Sequence, residues 1–233
     1  MTTSPPVLSF EGVTKVFHQG DVEVRALRGL DLVVHPGELT AIVGPSGSGK
    51  STALHLAGAL DVPTTGTVRV DGVDLATLTA RERAALRRDR IGFVFQSYNL
   101  VPVMSAHENA ASVLALQGVP EAEQRTRVAS LLEELGIGDL ADRRPDQLSG
   151  GQQQRVAIAR AVAARPAVVL GDEPTANVDS ATAERLLDLI RSLNERHGTT
   201  FLLSTHDERV MKRVRRVVTL VDGKVASDET VGG

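Results

Sequence analysis

Gly44-Pro45-Ser46-Gly47-Ser48-Gly49-Lys50-Ser51-Thr52 carries the most specific chemistry in the chain. It fits the pattern G-x-x-x-x-G-K-[ST], placed between an apolar strand-like run, Glu38–Val43, and a helix-forming run, Ser51–Leu60. Glycines there let backbone N–H groups curl around phosphate oxygens, and the start of the following helix adds a favourable dipole. In such a loop Lys50 reaches the β- and γ-phosphates and the Ser51 hydroxyl ligates Mg²⁺. The plain alternative is a Gly-rich turn with a solvated lysine, and the strand before and helix after argue against it. A second constellation completes the chemistry: Val168-Val169-Leu170-Gly171-Asp172-Glu173 is an apolar strand ending in two carboxylates. Asp172 can hold Mg²⁺ through water, because that ion sheds its hydration reluctantly. Glu173, on the other side of the chain, is placed to polarise an attacking water as general base. Together they describe a nucleotide hydrolysis site.

Leu148-Ser149-Gly150-Gly151-Gln152 narrows the class. Ser149 as N-cap and two glycines at a helix start form a second anion-receptive helix end. A chain with a single phosphate loop has no obvious use for another γ-phosphate reader. A second protomer supplies one, if each such segment caps the nucleotide bound across a two-fold interface.

These residues need elements to hold them. The 233 residues include 42% hydrophobic and 24% charged positions, an ordinary soluble globular balance with length for one large domain or a core with a subdomain. Only six residues are aromatic and the net charge is −3, which leaves no stacking platform or basic footprint for nucleic acid. Arg87, Arg88 and Arg90, with Glu82 and Asp89 nearby, read as a solvated helix face. Zero Cys excludes disulfides and thiolate catalysis, and neither a membrane-length apolar run nor a signal peptide is present.

Val7–Phe10, Leu30–Val34, Thr67–Val70 and Ile91–Phe95 read as strands, and Thr79–Arg90 as a charged helix. Glu121–Gly136 places Val128, Leu131, Leu132 and Leu135 on one helical stripe, and Gly151–Arg165 is a helix capped by Ser149. The last third alternates: strands Ala167–Gly171, Thr200–Ser204 and Val217–Val221 enclose helices Ala181–Arg196 and Glu208–Val214. Strands separated by helices imply a parallel sheet with right-handed crossovers. The expected fold is α/β: a P-loop NTPase core with a mostly parallel sheet, an N-terminal antiparallel β-subdomain and an inserted helical subdomain. The whole chain, 1–233, reads as a single domain, with its core at about 7–96 and 154–226 and the helical insertion at about 97–153.

From Val7 to about Ala226 the chain resembles the ATP-binding subunits of ABC transporters, with the motifs in order. Phe17 falls at the aromatic position that stacks on adenine, Gly44–Thr52 is the Walker A loop, and Gln96 after Phe95 is the Q-loop. Leu148–Gln152 is the signature, Asp172-Glu173 closes Walker B, Ala176–Asp179 matches the D-loop and His206 is the switch histidine. The resemblance implies ATP and Mg²⁺ as ligands, and a head-to-tail homodimer sandwiching two ATP between Walker A of one subunit and the signature of the other. Gln96 can then touch Mg²⁺ or water, His206 can hydrogen-bond the γ-phosphate, and Asp179 reaches across the dimer while also suiting a helix cap. Gly171 stands where Ala is usual, and Ala176-Asn177-Val178-Asp179 replaces commoner D-loop residues. Those exchanges touch rate or coupling, not the chemistry.

In detail the chain looks like the branch serving lipoprotein release and macrolide or peptide export, through Val24–Gly29, Ala53–Gly58, Ile91–Leu100 and Leu148–Arg160. That resemblance implies a separate transmembrane permease whose cytosolic helix docks near Tyr98 to Asn109. It also implies a subunit lying peripherally at the cytoplasmic face of the membrane, touching it only through the permease. The alternative is a non-transport ABC ATPase regulating cell-wall hydrolysis at division. A chromosome-structuring ATPase is disfavoured because only 97 residues separate Lys50 from Leu148, too few for a long coiled coil. Translation-associated members fuse two cassettes, and one is visible here.

Overall fold

The computed structural model describes residues 4–20 and 22–231. In chain order, β1 (Leu8–Gln19) and β2 (Val22–Val34) form a long hairpin, and β3 (Leu39–Val43) leads through the glycine loop into α1 (Lys50–Ala57). β4 (Thr65–Val70), β5 (Val73–Asp74), α2 (Ala80–Arg90) and β6 (Ile91–Val94) follow. Three helices come next: α3 (Ala106–Leu116), α4 (Glu121–Glu134) and α5 (Gly150–Ala163). The chain then alternates through β7 (Val168–Asp172), α6 (Ser180–His197), β8 (Phe201–Ser204) and α7 (Glu208–Met211), and closes with β9 (Arg216–Val221) and β10 (Lys224–Thr230).

Two sheets result. A six-stranded sheet runs β10-β9-β3-β8-β7-β6, parallel throughout except for the β9–β10 hairpin. A four-stranded antiparallel sheet runs β2-β1-β4-β5. Every residue of β3 and β8 is buried, as expected for parallel strands covered on both faces. The pleat divides these residues between two cores. Ala41, Val43, Val169, Phe201 and Leu203 join the core beneath α3, α4, α5 and α6. Ile42, Val168, Leu170 and Leu202 join the opposite core, which the antiparallel sheet and α1 cover.

The helices are closed locally. α2, α3 and α5 each begin with a full capping box, at Thr79/Glu82, Ser105/Glu108 and Ser149/Gln152. α5 runs unbroken through residues 153 and 154, so the helical insertion and the core share one rod. The hairpin is longer than its sequence suggests, extending past the short strands expected at Val7–Phe10 and Leu30–Val34. Register shifts at Phe10/Val13, Val13/Thr14 and Lys15/Val16 interrupt its alternation, so a strict two-residue period does not mark it.

Candidate functional site

A cavity of about 690 Å³ opens where the hairpin meets the glycine loop. Gly44, Gly47, Gly49, Lys50, Ser51 and Thr52 form its floor, Phe17 and Val24 to Ala26 one wall, and Glu173, Ser204 and His206 the other. The closeness of hairpin and loop depends on Gly49, which has φ +102°. A Cβ there would meet the Ala26 carbonyl oxygen at 2.6 Å. Lys15 pairs with Leu27 and Val16 with Arg25, so Ala26 is the extra residue of a bulge, and the bulge turns its carbonyl toward the loop.

α1 differs from the capped helices. Its N-cap is Gly49, which offers no side-chain cap, so its first N–H groups face the cavity end without a side-chain acceptor. Lys50 Nζ donates to the carbonyls of Gly44 and Pro45 at 2.8 and 2.9 Å, which bends the ammonium back over the loop. Uncapped helix donors beside a lysine make an anion-receptive cradle.

Asp172 ends β7 beside this cradle. Its Oδ1 accepts from Ser204 Oγ at 2.5 Å and from Ser51 Oγ at 3.4 Å. A hydroxyl and a carboxylate converging from two elements fit Mg²⁺, which takes oxygen ligands and needs only one or two from protein when phosphates supply others. Among the described residues no cluster of three or more His, Cys, Asp or Glu could cage a metal alone. Glu173 follows in the left-handed region at φ +47°, its N–H donating to the Ser204 carbonyl at 3.1 Å. This twist turns its side chain away from that of Asp172, and Glu173 Oε1 lies 2.7 Å from His206 Nδ1. A carboxylate oxygen accepts, so Nδ1 carries the proton and Nε2 is left for a second partner.

The other sequence-derived positions are more dispersed. Phe17 lines the cavity mouth with 39% of its surface exposed. Pro45 and Ser48 belong to the loop without lining the cavity. Ser48 is buried, and its hydroxyl has no partner. Gln96 does not line the cavity, and its backbone carbonyl accepts from Asn177 Nδ2 at 3.0 Å. The segment Leu148–Gln152 adds nothing to this cavity either. Ser149 Oγ accepts from Gln152 N–H within the capping box, so that helix end is partly self-satisfied, with the hydroxyl hydrogen still to donate. Asp179 caps α6 by accepting from Thr182 N–H at 3.0 Å. Hydrogen bonds from Thr182 hold its carboxyl below the ordinary range.

Three contributors were not singled out from sequence. Ser204 orients Asp172, and its only signal is its place two residues before His206. Tyr98 donates to the Asn177 carbonyl at 3.1 Å, and Asn177 donates to Gln96, tying the segment after β6 to the segment before α6. Arg160 donates to the carbonyls of Tyr98 and Asn99 from α5, and burial pushes its guanidinium below the ordinary value.

Known proteins resemble this chain in sequence and in fold. The family profile described as ABC transporter matches residues 27–176. The macrolide export ATP-binding/permease protein MacB of Brucella melitensis is 47% identical over 97% of the chain. The chain spans only about a third of that relative's length, 35%. The lipoprotein-releasing system ATP-binding protein LolD 1 of Caulobacter vibrioides is 47% identical, with 95% of each chain covered. Among solved structures, the dimeric post-hydrolysis state of the ATP-binding cassette MJ0796 bound to ADP and Pi superposes with a TM-score of 0.88. It is 41% identical and covers 97% of this chain and 99% of that one.

Proposed function

The chain belongs to the ABC transporter family as an ATP-binding, ATP-hydrolysing subunit, and from that premise we propose how its residues divide the work and what they drive. The chief support is that Lys50, Glu173 and His206 line one cavity with the glycine loop. ATP lies with its phosphates over Gly44–Thr52, where Lys50 and the α1 N–H groups neutralise the β- and γ-phosphates. Glu173 takes a proton from water as the water oxygen bonds to the γ-phosphorus, and the bond to the β-phosphate oxygen breaks to release ADP and phosphate. His206 Nδ1–H holds the Glu173 carboxylate in place, and a second proton on Nε2 lets the same ring donate to the γ-phosphate. Ser51 and Asp172 would hold Mg²⁺, with Gln96 reaching it only by moving in from outside the cavity, and the bound ion would supply charge neutralisation at the phosphate oxygens.

The assembly is a head-to-tail homodimer. Ser149 of the partner copy donates its hydroxyl hydrogen to the γ-phosphate, and Asp179 lies at the dimer seam. ATP binding closes the dimer and hydrolysis reopens it. The motor drives export, or translocation of lipoproteins, peptides or drugs, through a separate transmembrane permease, and sits at the cytoplasmic face of the membrane through that permease. No helix among the described residues is long and apolar enough to cross a membrane. The permease's cytosolic helix docks near Tyr98–Asn109. A groove of about 310 Å³ beside it supports that contact, with Leu60, Phe93, Val113 and Leu116 as apolar walls and Arg87 and Arg88 at the edge. Leu116 in the groove and Val103 in the 98–109 segment expose 70% and 74% of their surface. The matching occupant is an amphipathic helix with an acidic residue facing the arginines.

Capture of tagged Glu173→Gln protein with ATP and Mg²⁺ from solubilised native membranes, read by mass spectrometry, tests this. A permease with few spans and a large extracytoplasmic domain is expected. Recovery of soluble or nucleic-acid partners alone would overturn the transport reading and leave the ATPase.

A further inference from the structure

One wall of the cavity contains an arrangement that the phosphate chemistry does not use. Lys15 and Phe17 are two residues apart on β1, so their side chains share a face of the hairpin. A lysine side chain normally extends into water, yet that of Lys15 is only 12% exposed. Its Nζ lies 5.0 Å from the centroid of the Phe17 ring. The same ammonium pairs with Asp61 Oδ2 at 2.7 Å and donates to the Val62 carbonyl at 2.9 Å. Partial burial works to raise the Asp61 carboxyl, but hydrogen bonds from Lys15 and the Val62 N–H, with the Lys15 charge, outweigh it and hold the group below the ordinary range. The ammonium is therefore pinned on three sides.

We propose that Lys15 is a positioning residue for the nucleobase: it lies against one face of the Phe17 ring and fixes that ring so its other face is presented to a purine in the cavity. The inference deepens the proposed ATP site and rests on the reading that Phe17 stacks on the base. A cation is attracted to the negative face of an aromatic ring, so Lys15 holds the ring plane and keeps a base from stacking on that side. Without it, Phe17 is a half-exposed side chain free to turn about both its torsions, and a base that stacks on it must first immobilise it. The tether adds a second function. Asp61 and Val62 follow α1, whose first turn carries Lys50 and Ser51, so the ring that meets the base is fixed to the far end of the helix that meets the phosphates. Base and phosphate subsites are thereby held at one spacing.

The test separates Lys15 from Phe17 and both from the fold. Steady-state ATPase kinetics would be measured for the parent, Lys15→Met, Lys15→Arg, Phe17→Ala and the Lys15→Met/Phe17→Ala pair, together with binding of inorganic tripolyphosphate, which has no base. Lys15→Met should raise KM for ATP about three- to tenfold with kcat unchanged. Tripolyphosphate affinity should stay at the parental value, which also reports an intact phosphate loop. Lys15→Arg, which keeps a cation over the ring, should restore most of the affinity, and Lys15→Met should add nothing in the Phe17→Ala background. Asp61→Asn keeps Lys15 but loosens its tether, and should raise KM by a smaller factor. Unchanged KM in Lys15→Met, with Phe17→Ala impaired, would overturn the role of Lys15 and leave the stacking reading intact. Unchanged KM in Phe17→Ala would overturn the stacking reading, and the role of Lys15 with it. Equal loss of ATP and tripolyphosphate binding in Lys15→Met would reduce Lys15 to a structural ion pair.

Discussion

The loop at residues 44–52 and the loop at residues 96–105 both follow a buried strand, yet they treat their backbone groups in opposite ways. The first leaves donors open: α1 has no side-chain cap, and the loop's own lysine fills two of its carbonyls. The second has many of its carbonyls, and the N–H groups of Val101 and Ser105, engaged by side chains. Asn109 accepts from Val101 N–H and donates to the carbonyls of Val101, Met104 and Ser105. Arg160 fills Tyr98 and Asn99, Asn177 fills Gln96, and α3 closes with its own capping box. A loop of the first kind keeps donors for an anion, whereas a loop of the second kind is clamped by side chains from α3, α5 and the segment before α6. The contrast suits a site that binds and a linkage that transmits.

The contrast breaks most visibly at the chemistry. Glu173→Gln should lower ATP turnover by about 10²–10⁴-fold, the range for a positioned general base, and leave nucleotide binding intact with a trapped dimer. Lys50→Ala should abolish binding, because the α1 donors alone do not offset the phosphate charge. Phosphate-release assays and size-exclusion chromatography with ATP would check both. A Glu173→Gln protein with parental turnover would remove Glu173 as base.

Gly49→Ala tests whether the first loop is fixed by backbone rather than by side chains. The added Cβ would sit 2.6 Å from the Ala26 oxygen at a φ of +102°. Strain of about 1–3 kcal/mol is expected, opening the wall between hairpin and loop. ATP affinity and the thermal midpoint should fall together. Full affinity in this variant would show that the hairpin does not need to approach the loop.

The same contrast explains what was legible in the sequence. Gly44, Gly49 and Lys50 announce themselves because no other residue types can take those backbone angles and that reach. The parallel sheet was legible for a similar reason: Val168–Leu170 and Phe201–Leu203 are short, wholly apolar and bounded by turns. The long hairpin was not, because its bulges and exposed polar residues break the period, and β10 was hidden by its polar sequence. Nor was the clasp around residues 96–105. Tyr98 and Asn99 take positive φ without being glycine, and their stabilising partners, Arg160 and Asn177, are more than 60 residues away. Local pattern carries no trace of such pairings.

In the second loop, Asn109→Ala should destabilise the protein by about 1–3 kcal/mol, since it strips partners from part-buried backbone groups at Val101, Met104 and Ser105. Asn109 itself is only 1% exposed, so its removal also leaves a gap beneath α3. Chemical denaturation would read the loss. The ATP affinity of the monomer should not change, because the binding loop draws nothing from this segment. A parallel loss of affinity would mean that the two loops are one unit.

Tyr98→Phe is the gentlest probe and the most discriminating one. It deletes a single hydroxyl, which donates to the Asn177 carbonyl and would lie 2.8 Å from a Cβ on Gly150, so it touches the segment before α6 and the start of α5 at once. One lost hydrogen bond should cost about 1 kcal/mol of stability. Phenylalanine keeps the ring, so the bulk of the side chain stays while the hydroxyl that reaches both Asn177 and Gly150 is lost. Since Asn177 also donates to the Gln96 carbonyl, the cut loosens the residue that holds Gln96 without altering the glycine loop. The expected outcome is parental ATP binding with a few-fold slower turnover, read from nucleotide affinity and phosphate release on the same preparation. Turnover unchanged alongside the stability loss would show that the clasp only completes the fold, and that any signal between the nucleotide and the helical insertion takes another route.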